Sequence, residues 1–285
     1  MAQIHCECTI ADRNSFNPPL LRWAGSKKRQ YNKMKRYFPE SFDTYVEPFA
    51  GSASFLFRIQ PSRAKINDVN PHLCDFYYYS KTRTKHLYDN FSKLPRTSSN
   101  YYSIRSRFNA LPRGFRKTVY FYFLNRNCFN GIYRINKQGE FNVPFSDSRV
   151  SPYLTLEEFE RSCKTISQTQ IYNMDFEKFC LKRVGSGDFV YLDPPYYRDG
   201  HRTFNEYDLV SFGREDFERL NRVLHALNKI GAKFLLSFPR TGDAIRLARA
   251  WNSKNLHVLR TVAGNPQARR RQTEMLIFNY YVKSA

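Results

Sequence analysis

The chain has 285 residues, with 46 Lys and Arg against 25 Asp and Glu, a formal charge of +21 at neutral pH. Apolar residues make up 41% and aromatics 16%, which supports a sizeable core and excludes a disordered chain. A neutral partner is a poor match for such a charge; polyphosphate is the first counter-surface to consider and an acidic membrane face the second.

No apolar run reaches the roughly 18 residues of a membrane helix. The first 15 residues carry no basic segment followed by a long apolar core, so no secretory leader is read. Cys6, Cys8, Cys74, Cys128, Cys163 and Cys180 are scattered without C-x-x-C spacing, the pattern of reduced thiols in a cytoplasmic protein. His5, Cys6 and Cys8 cluster near the N-terminus but lack the second ligand pair of a zinc site. No metal is expected.

In chain order, residues 44–56 read as a strand, a glycine turn and a helix start, and residues 63–70 as a second strand, together a βαβ unit. Residues 72–124 are helical and basic. Residues 132–144 alternate around Lys137-Gln138-Gly139 and predict a β-hairpin. Thr155 and Glu158 form a capping box for a helix toward Ile166. Strands are predicted over 169–176, 187–196, 232–238 and 273–281. A helix carrying Phe217, Leu220, Leu224 and Leu227 ends at Gly231. The alternation predicts a mostly parallel α/β sheet. Residues 1–72 and 166–285 form the expected sheet domain, and 73–165 an inserted domain of helices and hairpin.

Two sites carry chemistry. The first is Glu47-Pro48-Phe49-Ala50-Gly51-Ser52-Ala53, a glycine turn between strand and helix, followed 17 residues later by Asp68 at the end of the next strand. That acid suits ribose hydroxyls. With Ala53 where a second glycine would stand, the full G-x-G-x-x-G fingerprint is absent, which favours a nucleoside cofactor without pyrophosphate. Taken alone, the turn fits an ordinary α/β connection equally well.

The second site is Asp193-Pro194-Pro195-Tyr196, directly after the apolar strand Phe189–Leu192. Open α/β sheets bind ligands beyond the carboxyl ends of their strands. The prolines fix φ and remove two backbone donors. A carboxylate, a carbonyl and an aromatic face remain, a set that matches an exocyclic amine on a planar base. Asp193 and the Pro194 carbonyl accept the amine protons while the ring stacks on Tyr196.

The ordered strings RWAGSKK (22–28), EPFAGSAS (47–54), NDVN (67–70), FNGIYRINKQGEFNVPF (129–145), DPPY (193–196) and TEMLIFNY (273–280) resemble the Dam-type, D12 class of DNA adenine-N6 methyltransferases. The resemblance runs from about Leu20 to Tyr281. It implies a Rossmann-like methyltransferase sheet with an inserted target-recognition domain, S-adenosylmethionine as cofactor, and methylation of an adenine in double-stranded DNA. By resemblance, Trp23, Ala24, Gly25, Lys27, Glu47, Phe49, Gly51, Asp68, Asp175 and Phe176 contact the cofactor. Asp193, Pro194, Pro195 and Tyr196 are catalytic. Arg22, Asn130, Gly131, Ile132, Tyr133 and Arg134 read DNA, with Arg134 projecting from the hairpin either to a guanine or to a phosphate. Arg22, Ser26 and Ala53 depart from the family pattern, and SDSRV (146–150) lacks its basic, aromatic character, so a GATC target does not follow. An RNA adenine or DNA cytosine-N4 methyltransferase, or a catalytically silent DNA-binding relative, are the alternatives. The expected setting is the cytoplasm of a prokaryotic or virus-infected cell.

Basic residues crowd three places: Lys27 to Arg36, Arg105 to Lys117, and Arg269 to Arg271. The alternatives for each are a phosphate-tracking surface and a solvated face.

Overall fold

A computed structural model of the chain describes residues 8–9, 16–146, 152–195, 212–260 and 270–282. A short antiparallel pair, β1 (Cys8–Thr9) with β2 (Ser41–Phe42), stands apart from the main sheet. The main sheet is built from β3 (Tyr45–Glu47), β4 (Ala64–Asn67), β5 (Thr169–Tyr172), β6 (Phe189–Leu192), β7 (Lys233–Pro239), β8 (Asn252–Arg260) and β9 (Arg270–Phe278). Its seven strands lie in the order β5-β4-β3-β6-β7-β9-β8. Pairings from β5 through β7 are parallel, and β9 is antiparallel to both β7 and β8. The mostly parallel sheet expected from the alternation is therefore present.

The chain winds outward from β3 to β5, then returns to the other side of β3 with β6. That reversal places a topological switch point between the carboxyl ends of β3 and β6, where open α/β sheets bind ligands. Glu47 ends one of these strands and Asp193 follows the other.

The central strands β3 and β6 are buried on both faces, as parallel strands covered by helices must be. Their side chains alternate between two apolar clusters. Tyr45, Phe189, Tyr191 and Leu235 point to one side. Val46, Val190, Leu192, Phe234 and Leu236 point to the other. The second side is closed by α8 (Phe176–Arg183), α9 (Arg214–Lys229) and α10 (Gly242–Ala248).

The first side continues into the inserted region through α3 (Pro71–Thr82), α4 (Thr84–Ser92), α5 (Ser98–Ala110), α6 (Phe115–Asn127) and α7 (Leu156–Ser167). Phe76, Tyr77, Phe91, Tyr122 and Phe159 belong to the same cluster as Tyr45 and Phe189. Local signals set the helix ends. Asn70 accepts the backbone N–H groups of His72 and Leu73, with Pro71 at the first helical position. Thr155 and Glu158 form the expected reciprocal cap of α7. Gly231, at φ +78°, lies just beyond α9, a conformation that glycine adopts at little cost.

Three elements differ from the sequence expectation. The helix after the glycine turn, α2 (Leu56–Ile59), has only four residues and ends at Gln60, which adopts a left-handed φ of +48°. Strand β5 stops at Tyr172 because Asp175 caps α8, accepting the N–H groups of Glu177 and Lys178. The hairpin over 132–144 is reduced to a tight turn: Ile135 bridges Phe141, and Asn136 donates its N–H to Glu140. Asn142 donates its N–H to the Arg134 carbonyl, and Asn109 of α5 takes both backbone groups of Phe141 with its side-chain amide.

Phe91 sits at the centre of the insertion's packing, with ring centroids 4.3 Å from Tyr122, 5.1 Å from Tyr153 and 5.4 Å from Phe159. Truncating such a side chain costs about 3–5 kcal/mol. Phe91→Ala is expected to lower the unfolding free energy by that amount in a denaturant titration, and a loss below about 1 kcal/mol would contradict the packing described.

Candidate active site

The N-terminal segment reaches the sheet through a clamp on α6. The backbone N–H of Arg22 donates to Asn125 Oδ1 at 3.0 Å, and Asn125 Nδ2 donates to the Arg22 carbonyl at 2.6 Å. The next residue, Trp23, stacks on Tyr133 with centroids 5.7 Å apart and planes at 19°. The opposite neighbour of Trp23 is the glycine turn. A Cβ on Gly51, whose φ is +47°, would lie 2.8 Å from Trp23 Cδ1, so only glycine lets the two loops touch. Ala24 and Gly25 form the exposed turn after Trp23, and Ser52 donates its hydroxyl to Ser26 at 3.1 Å.

Asp68 organises the turn from below. One oxygen accepts the Gly51 N–H at 2.9 Å and the other the Asn70 N–H at 2.9 Å. Burial raises its pKa, and the bonds from Asn70 and Gly51 work against that rise. The carboxylate keeps further acceptor sites for hydroxyl groups. Phe49 presents an apolar ring beside this turn, 5.1 Å from Phe176 and 6.3 Å from Phe212. Asp175 is tied to Arg219 at 2.5 Å. Burial alone would raise its pKa, but that bond and its helix-capping role bring it below the usual value.

At the mouth of β6 the side chain of Asp193 meets Lys27. The ammonium lies 2.8 Å from Asp193 Oδ1, 3.3 Å from Glu274 Oε2 and 3.2 Å from Ser237 Oγ. Lys27 is only 2% exposed and Glu274 is fully buried, whereas the Asp193 side chain retains 20% exposure. Pro194 is buried and Pro195 half-buried. Tyr196 lies outside the described residues. Glu47, nearby on β3, is buried and accepts both the Tyr45 hydroxyl at 2.8 Å and the Leu56 N–H at 3.0 Å.

On the far side of Trp23 stand the residues assigned to DNA. Asn130 and Gly131 turn the chain with φ of +54° and +65°. Gly131 passes so close to Arg22 that a Cβ would fall 2.6 Å from the Arg22 Cβ. Arg22 Nη1 is buried without a hydrogen-bond partner, and burial lowers the pKa of its guanidinium. Ile132 and Tyr133 are half-buried, Tyr133 packing also on Phe121 and Phe141. Arg134 does not project from the hairpin. Its Nε donates to Asn142 Oδ1 at 2.7 Å and its Nη2 to the Asn142 carbonyl at 3.3 Å, because Asn142 lies across the turn and offers two acceptors.

A family model described as D12 class N6 adenine-specific DNA methyltransferase matches residues 23–263. The chain belongs to this family. It is similar to the DNA adenine methylase of Escherichia coli, 30% identical over 269 residues that cover 91% of this chain and 94% of that protein. It is also similar to a type II methyltransferase of Lactococcus lactis subsp. cremoris, 29% identical over 282 residues covering 95% and 99%. The chain is thus a site-specific DNA adenine methyltransferase, an enzyme that needs a methyl donor and acts on DNA.

Membership sharpens the meaning of Ala53. Where the Dam-type pattern has glycine, this alanine is fully buried and holds φ at +46°, a left-handed conformation that costs a residue with a Cβ about 1–2 kcal/mol. The turn thus keeps the shape that glycine serves even though the residue has changed. Ser237 and Glu274 were missed from the sequence. Their signal was a lone serine inside the apolar strand FLLSF and a glutamate directly before the apolar run MLIF. Among the described residues no group of three or more His, Cys, Asp or Glu is arranged to hold a metal, and no helix is long and apolar enough to cross a membrane. Cys74, Cys128, Cys163 and Cys180 are free and buried. His5 and Cys6 lie outside the described residues.

Burial pushes the Glu47 carboxyl from its ordinary 4.5 up to about 8; the bonds from Tyr45 and Leu56 lower it and the nearby Asp193 raises it further. A folded pKa above the unfolded one means the folded state holds the proton longer. Stability from this group is therefore complete below the unfolded value and is lost as pH rises through the folded one. Glu47→Gln keeps an oxygen for both donors and removes the titration. Its unfolding free energy, followed from pH 5 to pH 8, is expected to fall less steeply than that of the wild type; parallel curves would contradict a proton held on Glu47.

Proposed function

We propose that the methyl donor is S-adenosylmethionine, bound at the switch point between β3 and β6, and that Asp193 and the Pro194 carbonyl receive the N6 amine of an extruded adenine. The residues present suit the donor. Asp68, already fixed by two backbone N–H groups, offers acceptors to a ribose. Phe49, backed by Phe176, offers an apolar face to an adenine ring. Gly51 and Trp23 touch where any larger residue would separate them. When bound, the donor supplies an electrophilic methyl group.

The protein's own part is positioning and charge. The target adenine has to leave the duplex before its N6 is reachable, at a cost of a few kcal/mol. Stacking on Tyr196 returns about 1–3 kcal/mol. Asp193 accepts one N–H while Lys27 holds its Oδ1, since a carboxylate carries enough lone pairs for both. The negative charge stabilises the positive charge that develops on N6. A strong base is not required, because the methylated nitrogen loses its proton readily to water. The single observation that carries this reading is a partly exposed Asp193 carboxylate, held by a buried ammonium at the end of β6 beside the glycine turn. Residues 73–165 would form the target-recognition region, with Arg22 and the 130–134 turn closest to the base.

Duplex DNA incubated with methyl-labelled S-adenosylmethionine, then digested to nucleosides, is expected to show label in N6-methyladenine. Asp193→Ala is expected to abolish that label with cofactor binding largely intact. Turnover by this variant, or label in N4-methylcytosine, would overturn the assignment.

If the basic segments track six to ten phosphates, DNA affinity is expected to fall about 10³–10⁵-fold between 50 and 200 mM salt. A flat salt response in a binding titration would contradict it.

A further inference from the structure

We propose that Glu274, assisted by Ser237, is a positioning residue for methyl transfer: it holds the Lys27 ammonium in the one place from which that ammonium orients Asp193. The inference rests on the catalytic reading of Asp193 and extends it to strands β7 and β9, behind the DPPY segment.

The geometry is a buried junction. Lys27 Nζ has Asp193 Oδ1 at 2.8 Å on one side, and Glu274 Oε2 at 3.3 Å and Oε1 at 3.4 Å on another. Ser237 Oγ stands 3.2 Å from the same nitrogen and donates its hydroxyl to Glu274 Oε2 at 3.1 Å. Glu274 is fully buried at the start of the apolar run of β9, opposite Pro239 of the neighbouring strand β7. A carboxylate is not kept there without a charge to meet, and Lys27 supplies one at 3.3 Å.

A lysine side chain is long and flexible, with a compact ammonium that can serve several acceptors. Held by Asp193 alone, it could follow that carboxylate through its rotamers and fix nothing. Glu274 and Ser237 sit on rigid sheet strands and anchor the nitrogen from behind, so Asp193 closes onto a fixed point. Displacement of a catalytic group by about 1 Å can cost on the order of 10²-fold in rate.

The test is a double-mutant cycle on the full-length enzyme with Lys27→Met, Glu274→Gln and the pair. Turnover is measured on unmethylated genomic DNA with S-adenosylmethionine, and thermal unfolding is recorded alongside. Glu274→Gln keeps the size of the side chain and an oxygen for Ser237. It is expected to lower kcat about 10-fold or more while KM for donor and for DNA stays within about twofold. The double variant is expected to be no slower than Lys27→Met alone, since Glu274 acts only through Lys27. A Glu274→Gln enzyme that melts earlier but keeps kcat within about twofold would make Glu274 a purely structural residue and overturn the proposal. Losses that multiply in the double variant would overturn it as well. Asp193→Ala is the separating control. Activity in that variant removes the catalytic reading itself, whereas its inactivity beside a fully active Glu274→Gln removes only the relay.

Discussion

The site depends on one buried cation. Lys27 brings an ammonium to a position where it is 2% exposed, and a charge there is tolerable only when paired and hydrogen-bonded. Among the described residues its partners come from three separate parts of the chain: Asp193 after β6, Glu274 on β9 and Ser237 on β7. One interaction therefore fixes the N-terminal segment, the end of the central strand and the antiparallel edge of the sheet relative to one another. Trp23, four residues before Lys27, is carried by the same segment onto Gly51 and Tyr133. The glycine turn, the Asp193 carboxylate and the 130–134 turn are thus linked through a single stretch of seven residues, Arg22 to Lys28.

The sheet supplies the frame for that stretch. Alternation along β3, β6 and β7 sends one set of side chains toward the insertion and the other toward α8 and α9. Because Tyr45 and Phe189 share a cluster with Phe76, Tyr122 and Phe159, the inserted helices pack as a continuation of the sheet's own core. The clamp of Asn125 on Arg22 adds a polar joint between α6 and the N-terminal segment. The insertion and the switch point of the sheet are then held at fixed distance by buried contacts, which suits the proposed capture of an extruded base in one orientation.

Much of this was legible in the sequence for identifiable reasons. The buried strands read as apolar runs, FVYL and KFLLSF, because both faces are covered. The capping box at Thr155 and the glycine at 231 marked helix ends through local chemistry that tertiary context did not override. Gly51, Asp68 and Asp193 could be placed because strand ends in such sheets are where ligands bind. Other features were hidden. Arg134 looked free in a hairpin pattern, but Asn142 captures it across the turn. Asp175 read as the end of a strand, whereas its side chain starts a helix and pairs with Arg219, 44 residues on. Strand β8, NSKNLHVLR, mixes Lys and Asn into its exposed edge and shows no clean alternation. Glu274 lies 247 residues from Lys27, and no local pattern announces a pair that only the folded sheet creates.

What most directly distinguishes a carboxylate that works by charge from one that merely fills space is Asp193→Asn. The amide has the same shape and keeps one oxygen for Lys27, but it carries no charge. In a single-turnover assay with saturating donor and duplex DNA, the expected result is a methyl-transfer rate lower by about 10²-fold or more with donor affinity unchanged. A rate within about tenfold of the wild type would contradict the central role given to the Lys27–Asp193 pair.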